Sequence, residues 1–272
     1  MNNPPLALMC ITAHPDDESL GFGPALARYA AEGIQTSIVC ATRGQVGWAG
    51  APEENPGPAA LGTIREAELR AAARVLGASE VCLLGYMDGE LDRAAPAEII
   101  GKLVRHIRRV RPQVVITFDP FGAYGHPDHI AISQFTAAAL IAAADPRVPA
   151  QTEEDTLPHS VSKFYYVADN AEMMAAYDTL EGELTIDVDG KTRHQVIWPD
   201  WAITAAIDAA EHWQTVWRAI QCHSSQKHLF DQLSDAPEAT MRIICGKRTF
   251  YRAASLVNGG RTLETDLFEG LR

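Results

Sequence analysis

Positive charge is the first thing this sequence is short of. Lysine and arginine number 23 against 35 aspartates and glutamates, a formal net charge of −12 over 272 residues. With no long Lys/Arg run to offset that balance, a duplex-binding face or a surface for anionic membranes is not expected. Long apolar stretches are missing too. The run at residues 6–13 falls well below the ~18 residues of a membrane-spanning helix, and it has no basic flank or small-residue cleavage site. The five cysteines are odd in number and scattered, which argues against a disulfide framework and for buried thiols in a reducing, cytoplasmic setting. No Gly-x-Ser-x-Gly element marks a serine nucleophile. Gly21-Phe22-Gly23 runs into Pro24 instead of completing a dinucleotide-binding turn.

What is present is an ordinary globular composition, 47% hydrophobic and 21% charged, in a chain long enough to bury a large core. Short β-rich runs alternate with helical patterns, as expected of βαβ units on a mainly parallel sheet. Residues 6–13, 34–41, 80–86 and 114–118 read as the first four strands. A helix at 25–31 stops at Gly33. Thr63-Ile64-Arg65-Glu66 matches a capping box opening a helix that Gly77 closes. Pro96 opens a third helix, which runs to about Arg111 before Pro112. Residues 42–62 carry five glycines and three prolines and are expected to form a long loop that closes over a cleft. Beyond about residue 150 the pattern weakens. It suggests a strand at 164–167, a hairpin pairing 185–188 with 195–198 around Asp189-Gly190, a helix at 203–222 and a strand at 242–252. With no repeat or linker, residues 1–272 are expected to form a single Rossmann-like α/β domain.

The chemistry concentrates at two strand ends. His14-Pro15-Asp16-Asp17-Glu18 follows the first strand, and Tyr124-Gly125-His126-Pro127-Asp128-His129 follows the fourth. In a sheet of order 3-2-1-4 these strands are neighbours, and their loops face each other across the crevice where ligands bind. Pro15 and Pro127 keep the preceding histidines extended. Two histidines and one carboxylate leave a coordination position open, as in catalytic zinc sites. The same donors suit the non-haem Fe(II) of an oxygenase. An acidic turn that caps a helix would explain the first motif alone, but not its echo after the fourth strand.

The paired motifs resemble the signatures of the LmbE-like, or PIG-L, family of zinc-dependent N-deacetylases, over residues 6 to about 138, with a weaker likeness at 217–226. The resemblance implies that His14, Asp17 and His129 hold one zinc per chain, other divalent metals remaining open. It implies that Asp16 is the general base and that His126, oriented and kept cationic by Asp128, approaches the developing oxyanion. Support of His129 by His126 and Asp128 is the alternative. Arg65 and Asp88 resemble sugar-hydroxyl contacts, Tyr124 a residue near the substrate carbonyl, and His223 a cleft-lining position. The plainer readings are an Arg65–Glu68 pair, a turn at Asp88, packing of Tyr124 and a helix-end cap at His223. Gln45 departs from the family pattern, standing where an acid is common. The implied reaction is hydrolysis of the N-acyl, chiefly N-acetyl, amide of a small amino-sugar substrate or conjugate. A metal-dependent hydratase of a dicarboxylic muconate derivative is the alternative within the family. A homo-oligomer is left open.

Overall fold

The computed structural model describes residues 5–149, 157–178, 185–257, 260 and 262–272. The chain runs β1 (Ala7–Thr12), α1 (Asp17–Leu20), α2 (Gly23–Ala31), β2 (Gln35–Thr42), α3 (Pro58–Leu76), β3 (Glu80–Tyr86), α4 (Pro96–Val110) and β4 (Val114–Thr117). It continues with the kinked turn α5 (Gly122–Gly125), α6 (Pro127–Ala144), β5 (Lys163–Val167), α7 (Ala171–Tyr177), β6 (Thr185–Val188) and β7 (Lys191–His194). The last elements are β8 (Ala205–Asp208), α8 (Trp213–Ile220), α9 (Lys227–Ser234), α10 (Glu238–Ile244) and β9 (Lys247–Ser255). No described helix is long and apolar enough to cross a membrane.

Seven strands form one sheet in the order β3-β2-β1-β4-β5-β9-β8, parallel through β5, with β9 and β8 each antiparallel to their neighbour. All six residues of β1 are buried, because a central parallel strand is covered on both faces. After β3 the chain crosses back over the sheet to β4. The helices accordingly sort into two groups, α2 and α3 with α8, and α4 with α6. The strand order reverses between β1 and β4, so the loops after them splay apart at the carboxyl end of the sheet. The expected α/β architecture and the order 3-2-1-4 are both present.

Four local expectations need correction. The capping box does not open α3, which begins at Pro58 after Gly57, whose φ is 84°. Pro58 supplies the favoured first position, and the buried stripe starts at Leu61, so Thr63 lies inside the helix with its hydroxyl on Ala59 O at 3.1 Å. The loop is therefore shorter than expected. The hairpin pairs β6 with β7, because Asp189 and Gly190 both have positive φ and form a tight two-residue turn that brings 191–194 opposite 185–188. Residues 203–222 divide into the edge strand β8 and the helix α8, since Ala205 and Ile207 alternate inward to pair with β9. Residues 242–252 divide likewise into the end of α10 and β9. Gly246 marks the break, where a β-carbon would lie 2.3 Å from Arg242 O.

Candidate metal centre

The loops after β1 and β4 bring the two motifs together. Asp16 sits at φ 108° and ψ −30°, a strained backbone for a residue with a side chain. Its surroundings hold it there. Its N–H donates to Glu18 Oε2 at 3.0 Å, its carbonyl accepts from Ser19 and Leu20, and Arg65 Nη2 donates to Pro15 O at 2.6 Å. The twist separates the side chains of Asp16 and Asp17.

Asp17 turns inward. Its Oδ2 accepts the N–H groups of Ala13 at 3.1 Å and His14 at 2.7 Å, while Oδ1 lies 3.4 Å from His129 Nε2. His14 Nδ1 lies 3.2 Å from His129 Nε2 and 3.8 Å from Asp17 Oδ2. Four-coordinate zinc, with ligand bonds of about 2.0–2.1 Å, places its ligand atoms about 3.3 Å apart. The His14–His129 and His129–Asp17 distances have that spacing, whereas the nearest approach of Asp17 to His14, 3.8 Å, is longer and is made by its other oxygen. Two ring nitrogens facing each other can share one proton or take a cation between them, depending on the tautomers. Burial alone would raise the Asp17 carboxyl. The charges of His129 and His14 outweigh it and hold Asp17 well below the usual carboxylate range. Among the described residues, the groups that bring one donor atom per residue within 4.8 Å of one another are His14 with His126 and His129, and His14 with Asp88 and Asp128; Asp17 belongs to neither. These side chains could therefore hold a metal ion, and the tautomers decide which of them face it.

His14 Nε2 lies 3.1 Å from Asp88 Oδ1 and 3.2 Å from Asp128 Oδ2. Burial opposes a charge on this ring, but its hydrogen bonds to Asp128 and Asp88 and the charge of Asp17 push its pKa up to about 10, so the ring is cationic until a metal takes Nδ1 and leaves the proton on Nε2. Asp88 also accepts Val46 N–H at 3.1 Å, and Asp128 accepts the N–H groups of Gly89 at 2.8 Å and Leu91 at 3.0 Å. Both carboxylates are thus spent on orienting His14, the support that metal-binding imidazoles commonly have. Two expectations change accordingly. Asp88, expected as a sugar contact, is 6% exposed and faces His14. Asp128, expected to orient His126, sends its carboxylate to His14 instead. Only its backbone N–H reaches His126, donating to Nδ1 at 3.1 Å. With Nδ1 accepting, His126 carries its proton on Nε2. Burial and the charges of His14 and His129 push its pKa down to about 4, which favours the neutral ring over the expected imidazolium. Phe118 stacks on His129 with centroids 3.9 Å apart, and the Tyr124 ring lies 5.9 Å from His126 and 5.4 Å from His129.

Asp16 faces a different set of groups. Burial pushes its carboxyl up to about 6, against the charge of Arg65, whose Nη2 lies 3.0 Å from Oδ2. Arg65, expected to touch substrate, is 3% exposed, and its guanidinium also donates to Gly44 O and Pro15 O. Its plainer reading fails as well, because Glu68 instead accepts Ser224 Oγ and both the N–H and Oγ of Ser225. His223, expected to line the cleft, is 1% exposed and lies behind the site with Nε2 2.8 Å from Glu18 Oε1. Gln45 bridges two loops: its amide nitrogen donates to Tyr86 O, and its oxygen accepts from Arg43 and Asp88. A carboxylate there could not donate to Tyr86. Sequence reasoning missed Glu18 as a buried partner and Asp119, whose Oδ1 accepts Ala123 N–H and whose Oδ2 accepts the Trp198 indole N–H. The position of Asp119 directly after the fourth strand was the available signal.

A buried His/Asp centre at the switch point of an α/β sheet is that of a metal-dependent enzyme. A family model described as PIG-L: GlcNAc-PI de-N-acetylase matches residues 9–140. A 1D-myo-inositol 2-acetamido-2-deoxy-alpha-D-glucopyranoside deacetylase of Nocardioides sp. is 34% identical, covering 97% of this chain and 98% of that one. The protein of the same description from Kineococcus radiotolerans is 31% identical, over 98% and 83%. Among solved structures, an N,N'-diacetylchitobiose deacetylase from Pyrococcus horikoshii superposes with a TM-score of 0.67 at 21% identity, covering 90% and 83%, a likeness of fold. The chain belongs to the PIG-L family and is a metal-dependent N-deacetylase.

Proposed function

We propose that this protein removes the acetyl group from an N-acetylglucosamine unit joined to a polyol such as inositol, using one zinc ion held by His14, Asp17 and His129. The observation that carries the reading is the convergence of His14 Nδ1 and His129 Nε2, 3.2 Å apart, beside Asp17. The two relatives' acting on an acetamido-glucopyranoside of inositol supports the substrate class. All five cysteines are free, which suits a reducing cytoplasm.

Zinc, when bound, supplies a Lewis acid and lowers the pKa of a coordinated water to about 7. The chain's own residues manage the protons. Asp16 is the general base: Arg65 engages Oδ2, which leaves Oδ1 to accept the proton of the attacking water, and the protonated acid then donates to the departing amine. His126, neutral with its proton on Nε2, donates a hydrogen bond to the carbonyl oxygen as charge builds there. Tyr124, beside both rings, closes the acyl side of the site. Asp88 and Asp128 keep His14 in its working tautomer.

The test is a metal-defined assay. Protein stripped by a chelator and reloaded with zinc is offered the inositol conjugate, N,N'-diacetylchitobiose and free N-acetylglucosamine, and released acetate is measured. Elemental analysis should find about one zinc per chain, and the inositol conjugate should turn over fastest. Absence of acetate from every substrate at full zinc loading would overturn the reading.

A further inference from the structure

The loop that carries Tyr124 and His126 has an unusual backbone, held locally by Asp119 and further restrained from outside. Gly122, Ala123 and Gly125 have φ of 66°, 60° and 83°, so a residue with a side chain shares the left-handed region with two glycines. Residues 193–198, which end β7 and leave the hairpin, run along this loop. Arg193 Nη1 donates to Gly125 O at 2.6 Å, Val196 N–H to Ala123 O at 2.7 Å, and the Trp198 indole N–H to Asp119 Oδ2 at 2.8 Å. The strap is itself anchored. Gln195 Nε2 donates to Asp169 Oδ2 and Trp198 N–H to Asp169 O, each at 2.8 Å, and Asp169 pairs with the buried Arg248 at 3.0 Å. Asp169 follows β5, so the strap is tied to the sheet that carries the loop it restrains.

Arg193 makes the bond nearest to the chemistry, on the carbonyl immediately before His126. Its aliphatic stem lies against the Gly125 α-carbon, where a β-carbon would come within 2.6 Å of Arg193 Cδ. A guanidinium on a carbonyl is also stronger than a neutral pair of the same geometry.

We propose that Arg193 is a positioning residue for the deacetylation: by holding the Gly125 carbonyl it fixes the Gly125–His126 peptide, and so aims the His126 Nε2–H at the substrate's carbonyl oxygen. The proposal rests on the reading of His126 as the donor to that oxygen. It gives residues beyond the family-matched segment a part in catalysis.

Arg193→Met keeps the apolar stem and removes the donor, and Arg193→Lys restores one cationic donor. In the zinc-loaded full chain, Arg193→Met should lower kcat by about 10- to 100-fold, the scale of a small misplacement at a reacting centre, with KM within about 3-fold. Zinc content should not change, and Arg193→Lys should recover most of the rate. The ring ¹⁵N signals of His126 should shift or broaden in the Met variant and return in the Lys variant. In a His126→Ala background, Arg193→Met should cause no further loss. Wild-type kcat in the Met variant, unfolding or zinc loss in that variant, or a full additional loss on top of His126→Ala would each overturn the role of Arg193. Near-normal turnover of His126→Ala alone would remove the reading of His126 itself, and with it the group through which Arg193 acts.

Discussion

Asp16 and Asp17 are neighbours in the chain with opposite surroundings. The φ of 108° at Asp16 turns its carboxylate toward Arg65, while the amides of Ala13 and His14 hold Asp17 against the histidines. If Asp17 is the third ligand, Asp17→Ala should lose most of its zinc, because two imidazoles fall short of the three protein ligands usual for catalytic zinc. Asp16→Ala should keep zinc and lose roughly 10²- to 10⁴-fold in turnover, the usual scale for a general base. Zinc content and rate measured on both variants decide the matter, and the reverse pattern would exchange the roles. Arg65 supplies a second test. Since its guanidinium is spent on Pro15, Gly44 and Asp16, Arg65→Met should reduce kcat more than it raises KM; a change confined to KM would restore it as a substrate contact. The motif spacing made the cluster legible but not the partition of its carboxylates. A sequence shows that Asp88 and Asp128 are near the strand ends, whereas their common attachment to His14 depends on tautomer and backbone amides from two loops.

The first four strands and their helices were legible because each is a strong apolar pattern closed by a Gly or Pro signal. The later elements were not, because their patterns are short and their partners distant in sequence: β8 exists through its pairing with β9, and residues 195–198 find a partner in the α5 loop instead of in β6. The segment at 223–226 shows the same dependence. Glu68 on α3 receives Ser224 and Ser225, and Gln226 Nε2 donates to Gly47 O at 2.6 Å, tying the glycine-rich loop down at its start. Glu68→Ala should lower the unfolding free energy by about 2–3 kcal/mol, since it strands buried donors that had a charged acceptor. Urea titration checks this, and a loss below about 0.5 kcal/mol would mean that the segment finds other partners. His159 ties the end of α6 to the start of β4, with its N–H on Ala143 O and Nε2 2.8 Å from Pro112 O. Burial lowers its pKa, so the folded state prefers the neutral ring. Its contribution to stability is therefore complete above the unfolded value near 6.5 and is lost as the pH falls below it. Melting temperatures of His159→Gln should accordingly fall less steeply between pH 7 and 5 than those of the wild type.

The whole molecule is closed by a buried charge cluster remote in sequence from both motifs. Glu264 runs beside β8, exchanging backbone hydrogen bonds with Thr204 and Ala206, and its carboxylate lies under the sheet. There it accepts Lys163 Nζ at 2.6 Å, Tyr165 Oη at 2.5 Å and Arg252 Nη1 at 2.6 Å, joining β5, β9 and the C-terminal segment. Lys163 is fully buried, so removing its anion leaves an ammonium with no route to water. Glu264→Leu should therefore destabilise the fold by roughly 3–5 kcal/mol, the cost of breaking a buried pair from one side. Glu264→Leu combined with Lys163→Met should recover part of that loss, because the buried ammonium is no longer stranded, although Arg252 and the Tyr165 hydroxyl still lack their acceptor. Urea unfolding of both variants, with acetate release measured on the fraction that remains folded, separates the possibilities. Recovery in the double variant with normal turnover would make the cluster a fastening of the sheet's antiparallel half. If the double variant is worse than the single, Lys163 stabilises the fold even without its anion, through its bond to Glu269 O at 2.9 Å, and the penalty of stranding it is not what Glu264 relieves.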